Sequence, residues 1–142
     1  MSFEDELKSV IQQARDERQR YEKEGDDFET QWLKARESYV WTLFKQSERV
    51  FRDEQIVAEA NLTNGSIVLG VARDDPRHNF RYTLKLSPEK ATRTIICSST
   101  IPGSENESFT LDHLTQHAIR EKIKQFADSI ARGNAPRLPA TT

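Results

Sequence analysis

The chain has 142 residues, 21 basic and 23 acidic side chains, and a single cysteine. That length suits one domain with a real core, and a lone Cys97 excludes an intrachain disulfide framework or a cysteine metal cluster. At 35% hydrophobic residues the chain is polar for its size, so part of it is expected to project from the core or to pair with another chain. Charge is uneven: residues 1–60 carry 15 acids and 10 bases, net −5, and residues 61–142 carry 8 acids and 11 bases, net +3. Neither half is a polyanion-binding tail. The opening MSFEDELKSV has neither the basic flank nor the apolar run of a secretory signal, and no stretch reads as a membrane span, so a cytoplasmic protein is expected.

Ser2 can cap a helix whose first turn holds Glu4, Asp5 and Glu6, where acids suit the helix dipole. Phe3, Leu7, Val10, Ile11 and Ala14 keep helical spacing; from Arg15 to Asp27 the only large apolar residue is Tyr21. Gly25-Asp26-Asp27 offers a break and a new cap. We read a helical hairpin turning there, the other reading being one long helix through Gly25.

Residues 28–51 hold six of the twelve aromatics and both tryptophans, with no Gly or Pro. Their apolar side chains fall into two stripes roughly 100° apart. Phe28, Trp32, Ala35, Tyr39, Leu43 and Val50 form one, and Leu33, Val40, Phe44 and Phe51 the other. Two stripes suggest two neighbours: an N-terminal helix on one side and a sheet on the other.

Asn64-Gly65 is a strong hairpin signal. It pairs Thr63 with Ser66, Leu62 with Ile67, Ala60 with Leu69 and Ala58 with Val71, so 56–62 and 66–72 are expected strands. Residues 79–86 alternate cleanly, with Phe80, Tyr82, Leu84 and Leu86 on one face. Ser87-Pro88-Glu89-Lys90 is read as a turn and 92–98 as the fourth strand, its Ile95-Ile96 pair suggesting a bulge. Residues 101–107 read as loop, and Thr110 as the cap of a last helix. The expected architecture is α+β: an N-terminal helical hairpin (or long helix), a four-stranded antiparallel meander, and a C-terminal helix packed on one sheet face. A single domain over 1–133 then comprises a helical arm (1–52), a sheet (56–98) and a helix (110–132), with a disordered tail at 134–142.

No motif fixes a function. His113 and His117 have the i,i+4 spacing of a shared metal, but Leu114 stands where a zinc protease needs Glu, so surface histidines are expected, and no metal or cofactor. The loop 73–79 gathers Asp74, Asp75, Arg77 and His78, which could supply an acid, a base and an anion clamp; turn geometry accounts for the same residues. The outer sheet face is the candidate for an anionic ligand. One register aligns Glu59, Gly70 and Arg81, with Asn61, Val68 and Thr83 next and Lys85 beyond. Arg77 and Arg93 lie near, and segment 66–100 has six bases against three acids. Nucleic acid is disfavoured because no outward aromatic offers a stacking platform. Cys97, beside two isoleucines, reads as an inert buried thiol.

The leading expectation is a non-enzymatic interaction or adaptor module, a homodimer joined through its N-terminal helices, with Trp41, Trp32, Tyr39 and Tyr21 as contact residues. The alternative is an anion- or nucleic-acid-binding domain using Arg81, Lys85, Arg93, Arg77 and Glu59. An enzyme built on Asp74, Asp75 and His78 comes third, and no catalytic residue is assigned.

Overall fold

The computed structural model describes residues 2–72 and 81–132, and the expected loop residues Asp74, Asp75, Arg77 and His78 and the tail 134–142 lie outside them. The N-terminal segment follows the long-helix reading. Helix α1 (Phe3–Ala35) runs unbroken through Gly25, with Ser2 Oγ accepting from the Asp5 N–H at 3.2 Å as its cap. A single π-helical turn over residues 36–40 joins it to α2 (Trp41–Asp53). Gly25 is a contact, not a break. A Cβ built there would meet Lys90 Cε at 2.8 Å and Cγ at 3.1 Å, so the missing side chain admits a lysine from the sheet.

The π turn explains the two stripes. Upstream of it the first stripe is buried (Phe28 5% and Trp32 0% exposed), while Leu33 is 37% exposed. From the end of the turn onward the second stripe is buried (Val40, Phe44 and Phe51); of the first, Leu43 stays buried at 8% and Val50 is 61% exposed. One extra residue in a helix rotates the downstream segment by about 100°, the angle between the stripes. The turn thus brings two offset stripes onto one core, and the separate N-terminal neighbour is not there. The residue accommodated is Ser38, exposed and with backbone angles (φ −105°, ψ −105°) outside the helical range.

The sheet is antiparallel and has five strands in chain order: β1 (Val57–Thr63), β2 (Ser66–Ala72), β3 (Arg81–Glu89), β4 (Thr94–Ser99) and β5 (Glu107–Phe109). The β1–β2 register has every expected pair, from Thr63 with Ser66 to Ala58 with Val71, and Gly65 takes φ +82°, a region that favours glycine. Strand β3 continues through Pro88, and the turn lies at Lys90–Arg93, closed by Arg93 at φ +53°. Pro88 is accommodated because the β2–β3 ladder stops at Ile67 and Leu86, leaving one side of β3 free of a strand there. The β3–β4 pairing is continuous, without a bulge; Ile95 and Cys97 face the core and Ile96 faces out. The fifth strand pairs Ile95 with Phe109, within the segment whose sequence reads as loop and helix cap.

Helix α3 (Gln116–Ala131) begins later than expected, with Thr115 Oγ1 accepting from the Ala118 N–H at 3.1 Å. Ile119 and Phe126 enter the core, and Phe126 meets Phe51 of α2 edge-on at 6.4 Å. Helices α2 and α3 share the inner sheet face, built from Ala58, Ala60, Ile67, Leu69, Val71, Tyr82, Leu84 and Leu86.

Helix α2 also closes the exposed edge of β1. Glu48, 5% exposed, is bonded by Lys45 Nζ at 2.7 Å and Arg52 Nη2 at 3.0 Å. Its Oε2 accepts from the Ala60 N–H at 3.4 Å, and Arg52 Nε donates to the Ala58 carbonyl at 3.0 Å. Backbone groups that would template another strand are thereby occupied.

Candidate functional site

The long helix passes the tips of both hairpins and is held at each. At the β1–β2 tip, Trp32 Nε1 donates to the Gly65 carbonyl at 2.5 Å. Arg36 Nη1 donates to the carbonyls of Thr63 at 3.1 Å and Ser66 at 3.2 Å. At the β3–β4 tip the partners are charged. Lys90 Nζ lies 2.7 Å from Asp26 and Arg93 Nη2 lies 2.8 Å from Glu24. The Arg93 guanidinium stacks 5.0 Å from the Tyr21 ring centre, and Tyr21 Oη donates to the Ala91 carbonyl at 3.1 Å. The acidic first half of the sequence and the basic second half meet here, within one chain.

This contact takes Arg93 from the candidate ligand face. The rest of that face is also rearranged, because β3 sits two residues from the expected register. Glu59 and Gly70 align with Thr83, and Asn61 and Val68 align with Lys85. Arg81 pairs with Ala72 at the far end of the strand, and Lys85 has Val68 and Ser98 as its neighbours. Arg77 lies outside the described residues. The expected row of Glu59, Gly70 and Arg81 is therefore a row of Glu59, Gly70 and Thr83.

The expected contact residues are mostly internal. Trp32 is fully enclosed and has no surface to offer a second chain. Tyr39 Oη donates to the Leu114 carbonyl at 2.8 Å, and its burial raises the phenol pKa. Trp41 is half-buried against the core with Lys45 Nζ 5.3 Å from its ring centre. Of the four, only Tyr21 is exposed, at 51%, with Arg93 against its ring.

The unsatisfied surface lies further out. Residues 2–24 are exposed throughout. Upstream of Tyr21 the helix leaves the body for about 18 residues, roughly 27 Å. Phe3 (75% exposed), Leu7 (47%), Val10 (62%) and Ile11 (44%) form an apolar stripe along it. The spacing Phe3, Leu7, Val10, Ala14, Glu17, Tyr21, Glu24, Phe28 alternates four and three, which is a coiled-coil seam. Its last apolar members, Tyr21 and Phe28, contact the body; its first four do not.

Elsewhere, a groove of about 940 Å³ opens between α2, α3 and the end of the sheet at Val71 and Tyr82. It is lined by Leu43, Phe51, Ile123 and Ile130, and its charged members Glu54, Arg120 and Lys124 are exposed. The two histidines do not share a helix face: His113 precedes α3, its Nδ1 2.8 Å from Thr110 Oγ1. Among the described residues no group of three or more His, Cys, Asp or Glu could hold a metal, and no helix is long and apolar enough to cross a membrane. Burial pushes the Cys97 thiol up to about 11, far from nucleophilic range at neutral pH. No family model, curated protein or solved structure matches the chain.

Proposed function

We propose that the protein is a non-enzymatic, cytoplasmic interaction module that self-associates through the projecting part of α1. The observation carrying this reading is the apolar stripe Phe3, Leu7, Val10 and Ile11, exposed on a helix that has left its own body. An isolated helix of this length is marginal in water, since most helical stability in proteins comes from burying an apolar face. Large apolar side chains in a row, flanked by charges, mark a contact surface. The sheet, α2 and α3 form the body that carries the arm. A cytoplasmic setting fits the lone cysteine, which has no second cysteine to pair with.

Amide hydrogen exchange along the arm tests the reading. Residues 3–20 are expected to gain protection as protein concentration rises, while amides of β2 and β3 stay unchanged. Exchange in the arm that is equally fast at every concentration would refute it.

A further inference from the structure

We infer that the arm's partner is a second copy of this chain lying antiparallel, with the pairing centred near Gln12. The inference rests on the self-association reading and adds to it an orientation and a register.

The charges beside the seam set the orientation. One flank holds Glu4, Ile11 and Arg18, and the other holds Glu6, Gln13 and Arg20. Both run from acid at the tip to base near the body. In an antiparallel pair each flank faces the same flank of its partner. Glu4 then meets Arg18 of the second copy and Glu6 meets its Arg20, each pair occurring twice. Ile11 meets Ile11 and Gln13 meets Gln13 at the centre. In the seam Val10 lies opposite Ala14, Leu7 opposite Glu17, and Phe3 opposite Tyr21.

A parallel pair fails on the same residues. It would set Glu17 against Glu17 in the seam, and would gather four glutamates at one end and four arginines at the other. Like charges at such contacts are destabilising.

The free length agrees with this register. A second arm centred on Gln12 ends at the level of Tyr21, where Arg93 and the Ala91 carbonyl of the β3–β4 turn first meet the helix, one turn before Lys90 crosses at Gly25. The β3–β4 turn therefore covers the seam where the second copy stops, and the two bodies stand at opposite ends.

Two single-cysteine substitutions at polar positions read the orientation, because Cys97 is buried. Gln13→Cys and Glu17→Cys chains are each oxidised at a concentration where light scattering reports a dimer. The antiparallel pair links Gln13→Cys chains and leaves Glu17→Cys chains unlinked, their sites being roughly 15 Å apart along the axis. Linking at 17 without 13 overturns the antiparallel register while self-association stands. A dimer that links at neither position overturns it as well, placing the contact elsewhere. A monomer at every concentration overturns both readings. At low salt, Glu4→Lys with Glu6→Lys should weaken the dimer about tenfold or more, and adding Arg18→Glu with Arg20→Glu should restore it. An unchanged dimer in the first variant contradicts the pairing.

Discussion

Deleting Ser38 should leave the fold intact, although it removes a residue from the middle of a long helix. The residue sits exposed in the π turn, its own hydroxyl donating to the Ala35 carbonyl at 3.2 Å. Without it the turn can close as ordinary α-helix, and the stripes of α1 and α2 stay aligned, since the extra residue is what their offset compensates. Deleting Arg49, one exposed position in α2, has no such outlet. Either Phe51 rotates out by about 100°, or the π turn absorbs the loss and carries Val40 and Phe44 away from the core. Val40 and Phe44 are fully buried and Phe51 is 7% exposed. At about 1.5–3 kcal/mol for each buried side chain, the Arg49 deletion costs roughly 2–6 kcal/mol. That is a large part of the 5–15 kcal/mol typical of a folded domain. The Ser38 deletion should stay within about 1 kcal/mol of the parent, a shift of about 3–5 °C in Tm. Urea and thermal unfolding observed through the fluorescence of the tryptophans gives both values. Equal destabilisation by the two deletions would refute the alignment of the stripes through the π turn.

Three further outcomes rest on named contacts. Glu48→Gln should lower stability at neutral pH by about 1–3 kcal/mol, since it removes the charge paired with Lys45 and Arg52. The hydrogen bond from Lys45 holds the Glu48 carboxyl below the ordinary 4.5, so its contribution is present above that value and fades as pH falls through the lowered pKa; the variant should converge on the parent in acid, and a pH-independent gap would count against this. Gly25→Leu should displace Lys90 and loosen the β3–β4 tip from α1, seen as faster exchange at the turn amides of residues 90–93; unchanged exchange would mean the glycine is not needed for the approach. Cys97 should resist iodoacetamide at pH 8 until the protein is unfolded, read by mass spectrometry, and rapid labelling of the native chain would contradict its buried position.

What the sequence discloses and what it withholds divide along local and distant causes. The β1–β2 register is readable to the residue because alternation and the Asn64-Gly65 turn both act within fifteen residues or so. Gly25 misleads, since its reason for being glycine is Lys90, far along the chain, and a local reading sees only a helix breaker. Pro88 misleads in the same way: its place in β3 depends on where β2 ends. The two stripes are visible, with their angle, yet the same angle describes two neighbours or one inserted residue, and only packing distinguishes them. The arm's stripe is also in view, but the tryptophans draw the eye because large aromatics dominate interfaces. Trp32 instead serves the core, its indole N–H satisfied by Gly65. Arg93 leaves the expected basic face because it turns to Glu24 and Tyr21, a partnership that no spacing within 66–100 could reveal.

Self-association through the arm is tested most simply by solution mass. Light scattering across a concentration series, on the parent and on a Leu7→Glu, Val10→Glu variant, separates the arm from the body without disturbing any buried residue. The parent should reach two chains at high concentration and the variant should stay at one, with the same unfolding transition for the body in both. A parent that remains a single chain at every concentration, or a variant that dimerises as well as the parent, would contradict the arm as an interface.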